Sequence, residues 1–426
     1  MTSDQRSGDR LVFVESNLTG TGMQALRIAG ELGLRTVFAT ADLSRYTADP
    51  DAERVIGEEV EQVLVCDTLD PVAVEKCVLD NGLQPVGVMT VGEYYVPTAT
   101  AVARGLGLPG LDPAAALTAR DKLKMRTACL RASVPVPRFR FVGSVADVDD
   151  VIDEIGLPCV IKPTDESASV GVSLCRTREQ LRLRVGELVA VTHNSRGQAH
   201  VPGGLVEECL FGPEVSVETF TFGGQTTVLG VTDKILAQTP YFLETGHTFP
   251  SILPASVTGP AIDVALAALR AIDFDFGPAH TEVKLTARGP VLIEINPRTG
   301  GDNIPDLVRE ATGVSLLEQS IAAHSGRTPD LRPSRRGGAA IRFLTGRDGI
   351  VDEVVGEELR EWFPSVISMR IKAKPGKVTR WPTNSHDRLG HLMTGAESPH
   401  EAAAQADAAL THLTVTYRPN NEGEPS

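Results

Sequence analysis

Short apolar runs alternate with helix-period segments over the first hundred or so residues: "LVFVES", "GMQALRIAGELG", "RTVFATA", "DPVAVEKCVLDNG", "PVGVMTV", "YVPTATAVARGLGL". Strand and helix taken in turn predict a parallel sheet flanked by helices. A Pro/Gly-rich joint, "GLPGLDPAAAL", precedes "TARDKLKMRTACLRASV", which reads as one helix with its own polar start. From about 136 to 208 the elements are short and punctuated by glycine, among them the strand "PCVIKP" and the loop "TDESASVG". They predict a small α+β unit inserted in a larger one. Strand-rich sequence follows ("EVSVETFTFGG", "TTVLGVTDKIL"), then the helix "TGPAIDVALAALRAID", a hairpin and the helix "IPDLVREATGVSLLEQSIAAHSG". Past "RTPDLRPSRRGG" a last unit carries "AAIRFL", "VISMRIKAK", "EAAAQADAALTHL" and "TVTY". The terminal "PNNEGEPS" is expected to be disordered.

The hairpin "HTEVKLTARGPVLIEINPRTGG" carries the most unusual chemistry. Period-2 geometry sends Val291, Ile293 and Ile295 to one face and Leu292, Glu294 and Asn296 to the other, while Glu282 and Lys284 oppose Val283 and Leu285. Glu282, Glu294 and Asn296 then converge as three oxygen donors, the kind of set that holds a hard cation beside substrate phosphates. Taken singly, each would be an ordinary residue of a solvated sheet face. Arg298, Gly300 and Gly301 follow at once and add a phosphate fork and permissive backbone N–H groups at a helix approach.

Composition narrows the surroundings. A chain of 426 residues predicts several compact units, and no apolar run nears the roughly 18 residues of a membrane helix. The net charge of -14 disfavours nucleic acid as a partner, so an anionic ligand must meet local lysines and arginines. Cys66, Cys77, Cys129, Cys159, Cys175 and Cys209 lack CxxC or metal-ligand spacing and read as reduced thiols. The opening "MTSDQRSGDR" has no apolar stretch of the signal-peptide kind and reads as a ragged tail, so a cytoplasmic location is expected.

With Glu282, Glu294, Asn296 and Arg298 in order, preceded by "RDKLKMR" and "VIKP", nearly the whole chain resembles the ATP-grasp superfamily. The resemblance implies an α/β and α+β ATP-grasp fold: a Rossmann-like N-terminal domain over 1–115, an ATP-grasp domain over 116–326 with a lid at about 136–208, and a C-terminal α+β domain over 327–426. It implies Lys122 and Lys162 as nucleotide lysines, with Ser167, Ser169 and Gly171 closing over phosphate, although the long glycine run of biotin carboxylases is missing. "LVEECLFGPEVSVE" matches the adenine segment, implying backbone recognition along Glu207, Glu208, Cys209 and Leu210, and ribose contact at Glu214. ATP and two magnesium ions are the implied cofactors, with manganese as the alternative metal.

The implied reaction is ADP-forming: a carboxylate is phosphorylated and an amine displaces phosphate from the acyl phosphate. Arg298 would stabilise the transferring group, and the N–H groups of Gly300 and Gly301 the oxyanion. "TDKILAQTPYFLETGHTFPS" is similar to the substrate loop of bacterial L-amino acid ligases of the bacilysin and dapdiamide type. That likeness puts Glu244 at the substrate amine, His247 near the carboxylate or the acyl phosphate and Lys234 close by, beside aromatic Tyr241, Phe242 and Phe249. It implies small-molecule carboxylate and amine substrates and the homodimer common among relatives. Glu93 in "TVGEYYVP" is a further candidate for the acceptor side.

A catalytically dead nucleotide-binding module is disfavoured by the full set of magnesium and phosphate residues, and two other rivals stand beside the ligase. A biotin-carboxylase-like or purine-pathway ATP-grasp enzyme shares the core motifs. A nicotinamide-dependent oxidoreductase is suggested by "GTGMQA", a G-x-G-x-x-A match with Asp42 about twenty residues on. The bland reading of that motif is a tight turn into a helix, because Glu15 to Thr19 separate it from the strand.

Overall fold

The first strands form a parallel sheet in the order β3-β2-β1-β4, from β1 (Arg10–Val14), β2 (Arg35–Thr40), β3 (Val60–Val65) and β4 (Gly87–Met89). Their side chains alternate: Leu11, Phe13 and Phe38 join one buried cluster, Val12, Val14 and Val37 another, so helices cover both faces. The computed structural model describes residues 9–419 apart from 19, 20, 168, 238–241 and 357. The expected ragged start, the end of "PNNEGEPS", Gly20 and Tyr241 lie outside the described residues.

A second sheet, β5-β8-β6-β7, is built from β5 (Phe139–Val142), β6 (Cys159–Lys162), β7 (Ser173–Cys175) and β8 (Gly204–Glu208). The helices Val148–Ile155 and Arg178–Ala190 pack on it through Val148, Val151, Leu181 and Val185. The main sheet draws on β9 (Glu214–Phe222), β10 (Gln225–Leu236), β11 (Glu244–Phe249), β12 (Gly277–Thr286), β13 (Gly289–Asn296) and β14 (Gly338–Leu344). After them come β15 (Gly349–Val355), β16 (Val366–Ile371), β17 (Val378–Thr379), β18 (Gly390–Ala396) and β19 (Thr414–Arg418). Eight strands pair in the order β13-β12-β9-β10-β11-β14-β18-β16, so C-terminal strands extend the sheet that carries the hairpin, while β17-β15-β19 form a small separate sheet.

Several expectations need correction. "TARDKLKMRTACLRASV" is not one helix: Pro113–Arg120 ends at Asp121, whose extended backbone and carboxylate cap the next helix, Lys122–Arg131. The break sets Lys122 at the first helical position. The long helix after the hairpin is likewise two, Ile304–Thr312 and Leu316–His324, divided at Gly313, whose φ of 79° favours glycine. The "FLETGH" segment is no polar loop from residue 244 on: it is β11, His247 is fully buried, and Phe249 belongs to the core beside Ile341.

Candidate active site

Two β-bulges decide which side chains reach the cleft. Glu282 pairs with Glu294, but Val283 pairs with Leu292, leaving Ile293 as an extra residue on β13. Simple alternation fails there. Leu292 and Ile295 both enter the core, whereas Ile293, Glu294 and Asn296 line the cleft, so the expected grouping of Leu292 with Glu294 is wrong. On β11 Gly246 pairs with Ile235 and Glu244 with Leu236, so Thr245 is the extra residue. Glu244 and His247, three apart, thereby share the cleft side.

The cleft holds about 920 Å³ and is walled by the main sheet, the β5–β8 sheet, the N-terminal lobe and the C-terminal strands. Ligand pockets commonly run to roughly 1,000 Å³, so there is room for more than one small ligand. At one end Lys162 closes β6 with its Nζ 2.7 Å from Glu207, whose other oxygen meets Arg126 Nε at 2.7 Å. Burial alone would raise the Glu207 carboxyl, but Arg126 and Lys162 outweigh it and bring it down to about 2. Burial lowers the Lys162 ammonium, against the pull of Glu207. Lys122 Nζ lies 2.9 Å from Glu294 and donates to the Glu166 carbonyl at 2.7 Å. Buried Glu93 pairs with both Arg120 and Arg298 and accepts from Ser167 Oγ.

In the centre Lys234 Nζ stands among three carboxylates, 2.6 Å from Glu214, 2.9 Å from Glu244 and 2.7 Å from Glu282. Burial would lower its pKa, yet the three acids hold it well above the usual lysine range. The oxygens of Glu214, Glu244 and Glu282 lie close enough to one another to suggest a metal site, but the ammonium already occupies the space between them. Glu282 also meets His280, which Glu218 holds protonated: against the lowering effect of burial its pKa rises to about 10.

At the far end Asp302 accepts two bonds from Arg388 and lies 3.3 Å from His247 Nε2. The Arg388 guanidinium stacks 3.7 Å from the centre of the Phe343 ring. Asp302 and Asn303 hold φ values of 55° and 59°, consecutive left-handed non-glycine residues directly after Gly300 and Gly301. A Cβ on Gly300 would come 2.9 Å from His280 Nδ1, so the backbone there needs glycine.

Of the nominated residues, Glu93, Lys122, Lys162, Ser167, Ser169, Glu207, Glu208, Leu210, Glu214, Lys234, Glu244 and His247 line this one cleft. So do Glu282, Glu294, Asn296, Arg298, Gly300 and Gly301. Gly171 and Cys209 do not. Gly171 serves a turn at φ 73°, with Pro163 2.9 Å from where its Cβ would be, and Cys209 is half-buried beside the cleft wall. Arg126, Glu166, Asp302, Arg388 and His391 are site residues that no sequence feature singled out, and Lys284, expected only to share the face of Glu282, lines the same cleft. Arg126 closes the run "RDKLKMR", Glu166 lies within "TDESASVG" and Asp302 directly follows "RTGG". The nicotinamide signal dissolves into packing: Asp42 accepts from Ser44 in its own turn, and a Cβ on Gly22 would come 2.0 Å from the Asn17 carbonyl oxygen.

Residues 155–306 match the ATP-grasp domain and residues 342–418 the L-amino acid ligase C-terminal domain 2. The chain is similar to the uncharacterized protein y4rH of Sinorhizobium fredii, 30% identical over 411 residues, 96% of this chain and 83% of that one. It is 29% identical over 293 residues to alanine–anticapsin ligase of Bacillus amyloliquefaciens, covering 65% of this chain and 58% of the relative, less than two thirds of its length. An L-amino acid ligase from Bacillus licheniformis shares the fold with a TM-score of 0.80 at 22% identity, over 97% of this chain and 100% of that chain.

Proposed function

The chain belongs to the ATP-grasp family and carries the C-terminal domain of L-amino acid ligases, and from that premise we propose that it joins two amino acids or analogues by an ATP-driven amide bond. The family generally uses ATP and magnesium. One carboxylate takes the γ-phosphoryl group of ATP, and the amine of the second substrate displaces phosphate from the acyl phosphate, leaving ADP and phosphate. Such transfers depend on positioning and charge stabilisation more than on a general base.

The donor set suits a divalent ion. Glu282, Glu294 and Asn296 offer oxygen only, which fits magnesium, and Glu294 has Lys122 as an exchangeable partner at 2.9 Å. When bound, the metal supplies charge neutralisation across the phosphates. Lys122 and Lys162 hold phosphate oxygens, with Ser167 and Ser169 above them. The backbone from Glu207 to Leu210 faces the adenine, and Glu214 the ribose. Arg298 steadies the transferring group, and the N–H groups of Gly300 and Gly301 receive the oxyanion. Glu244 takes the substrate amine. His247, turned by Asp302, faces the reacting carboxylate.

One observation carries this reading: the Glu282–Glu294 cross-strand pair and both lysines face a single cleft. The deciding experiment mixes the protein with ATP, magnesium and an amino-acid panel and follows ADP release and condensation products by mass spectrometry. ADP formed with amino acids, accompanied by dipeptide masses, is expected; bicarbonate-dependent turnover without dipeptides would overturn the reading. The cytoplasmic homodimer belongs to the same proposal, and sedimentation at micromolar concentration checks its assembly.

A further inference from the structure

The C-terminal strands bring positive charge to the substrate end of the cleft. Arg370 on β16 is paired in register with His391 on β18, and Lys372 follows two residues on, so period-2 geometry sets the three on one side. All three line the cleft. The Lys372 backbone is pinned by an N–H bond of 2.7 Å to the Leu389 carbonyl. This corner joins the nominated site directly: His391 Nε2 lies 3.4 Å from Asn303 Nδ2, and Arg388 reaches the Glu244 carbonyl at 3.4 Å.

Charge balance there is lopsided. Asp302 already answers Arg388 with two bonds. Among the described residues neither Arg370 nor Lys372 has a carboxylate within ion-pair distance, although the chain carries 55 acids against 41 lysines and arginines. Burial and then the neighbouring Arg370, Arg388 and Lys377 lower the Lys372 ammonium. Burial followed by the same kind of cationic field holds His391 down at about 4, so it serves as a neutral hydrogen-bond partner. Solvent can screen two exposed cations. Their position on a ligand-sized wall, next to the residues that face the substrate, calls for an anion.

We propose that Arg370 and Lys372 receive the side-chain carboxylate of an acidic amino-acid substrate. Its amino group lies at Glu244 and its reacting end points toward Arg298. This rests on the ligase reading and names its substrate class. Glu244 and Arg298 fix the two α-groups, and a chain of contacts links that position to β16 and β18: Arg388 touches the Glu244 carbonyl and stacks on Phe343, whose ring meets His391. A carboxylate there meets two cations and the His391 ring. The isosteric amide meets the same cations without charge, so a preference of about tenfold or more is expected from a site built for a polar group.

The test measures kcat/KM for ADP release with glutamate against glutamine and aspartate against asparagine, in wild type and in the double variant Arg370→Gln, Lys372→Gln. Wild type should favour the acids by about tenfold or more, with the preference shrinking as salt rises. The double variant should bring the ratio to within about twofold of one. Should that variant not fold, Lys372→Glu alone, on an exposed side chain, should reverse the preference toward the amide. Equal use of acid and amide by wild type, or an unchanged ratio in the variants, overturns the inference and leaves the ligase reading standing. No ADP with any amino acid sinks both.

Discussion

Glu207 illustrates how much a single carboxylate governs here. It is buried and answers Arg126 and Lys162 at 2.7 Å each. Glu207→Gln strands two buried cations and should destabilise the protein by about 3 kcal/mol at neutral pH. The folded carboxyl titrates at about 2 against a usual 4.5. Its contribution is therefore full above pH 4.5 and lost as pH falls toward 2, so the gap in urea midpoint between wild type and variant should close over that window. A constant gap refutes the assignment. Glu294 should behave differently, being partly exposed with one lysine partner. Glu294→Gln should lower amino-acid-dependent ADP release by about 100-fold or more if it holds magnesium, with thermal midpoint nearly unchanged. Lys122 and Lys162 were legible in the sequence because one lies near a helix start and the other ends an apolar strand, and Glu294 because it interrupts the apolar run "VLIEIN". Arg126 was not, since a helix written "KLKMRTACLR" gives no hint that one arginine turns inward.

At the level of strands, the two bulges matter more than any propensity. Ile293 adds a residue to β13 opposite Glu282, so Leu292 packs into the core while Ile293 faces the cleft. Leu292→Ala should therefore cost about 2–5 kcal/mol of stability, and Ile293→Ala clearly less. Chemical denaturation of both variants settles it, and equal losses would contradict the bulge. Alternation read from "VLIEIN" grouped the wrong neighbours because period 2 holds only for an unbroken ladder. The bulge at Thr245 has the same consequence for Glu244 and His247, whose odd spacing would otherwise put them on opposite faces.

For the molecule as a whole, the main sheet passes without interruption from the hairpin into the C-terminal strands. β11 pairs with β14 from Gly246 to Phe249, and a shared apolar cluster joins Phe249, Ile304 and Leu307 to Ile341, Phe343 and Met393. Removing residues 327–426 would uncover the β11 edge and that cluster and take away Arg388. Such a truncation should lose cooperative unfolding and aggregate in size-exclusion chromatography. A monomeric, cooperatively melting fragment would show that the C-terminal strands are dispensable for folding. The gentler Arg388→Gln should raise the KM for the amino acid at Glu244 several-fold while nucleotide affinity holds, and an unchanged KM would sever the C-terminal strands from the site.

From its sequence alone the protein declared a strand-and-helix start, an inserted unit near 136–208, and an ordered set of lysines, acids, an amide and an arginine suited to a magnesium nucleotide. These are local: periodicity, turn residues and motif spacing are written along the chain. The tertiary structure decided which side of the sheet each residue faces, which acid answers which cation, and that Arg370, Lys372, Arg388 and His391 share one cleft with Glu244 and Asp302. Many such pairings join positions far apart in the chain, 86 residues for Asp302 and Arg388 and 205 for Glu93 and Arg298, and their energies depend on burial and distance, neither of which any local run of residues specifies.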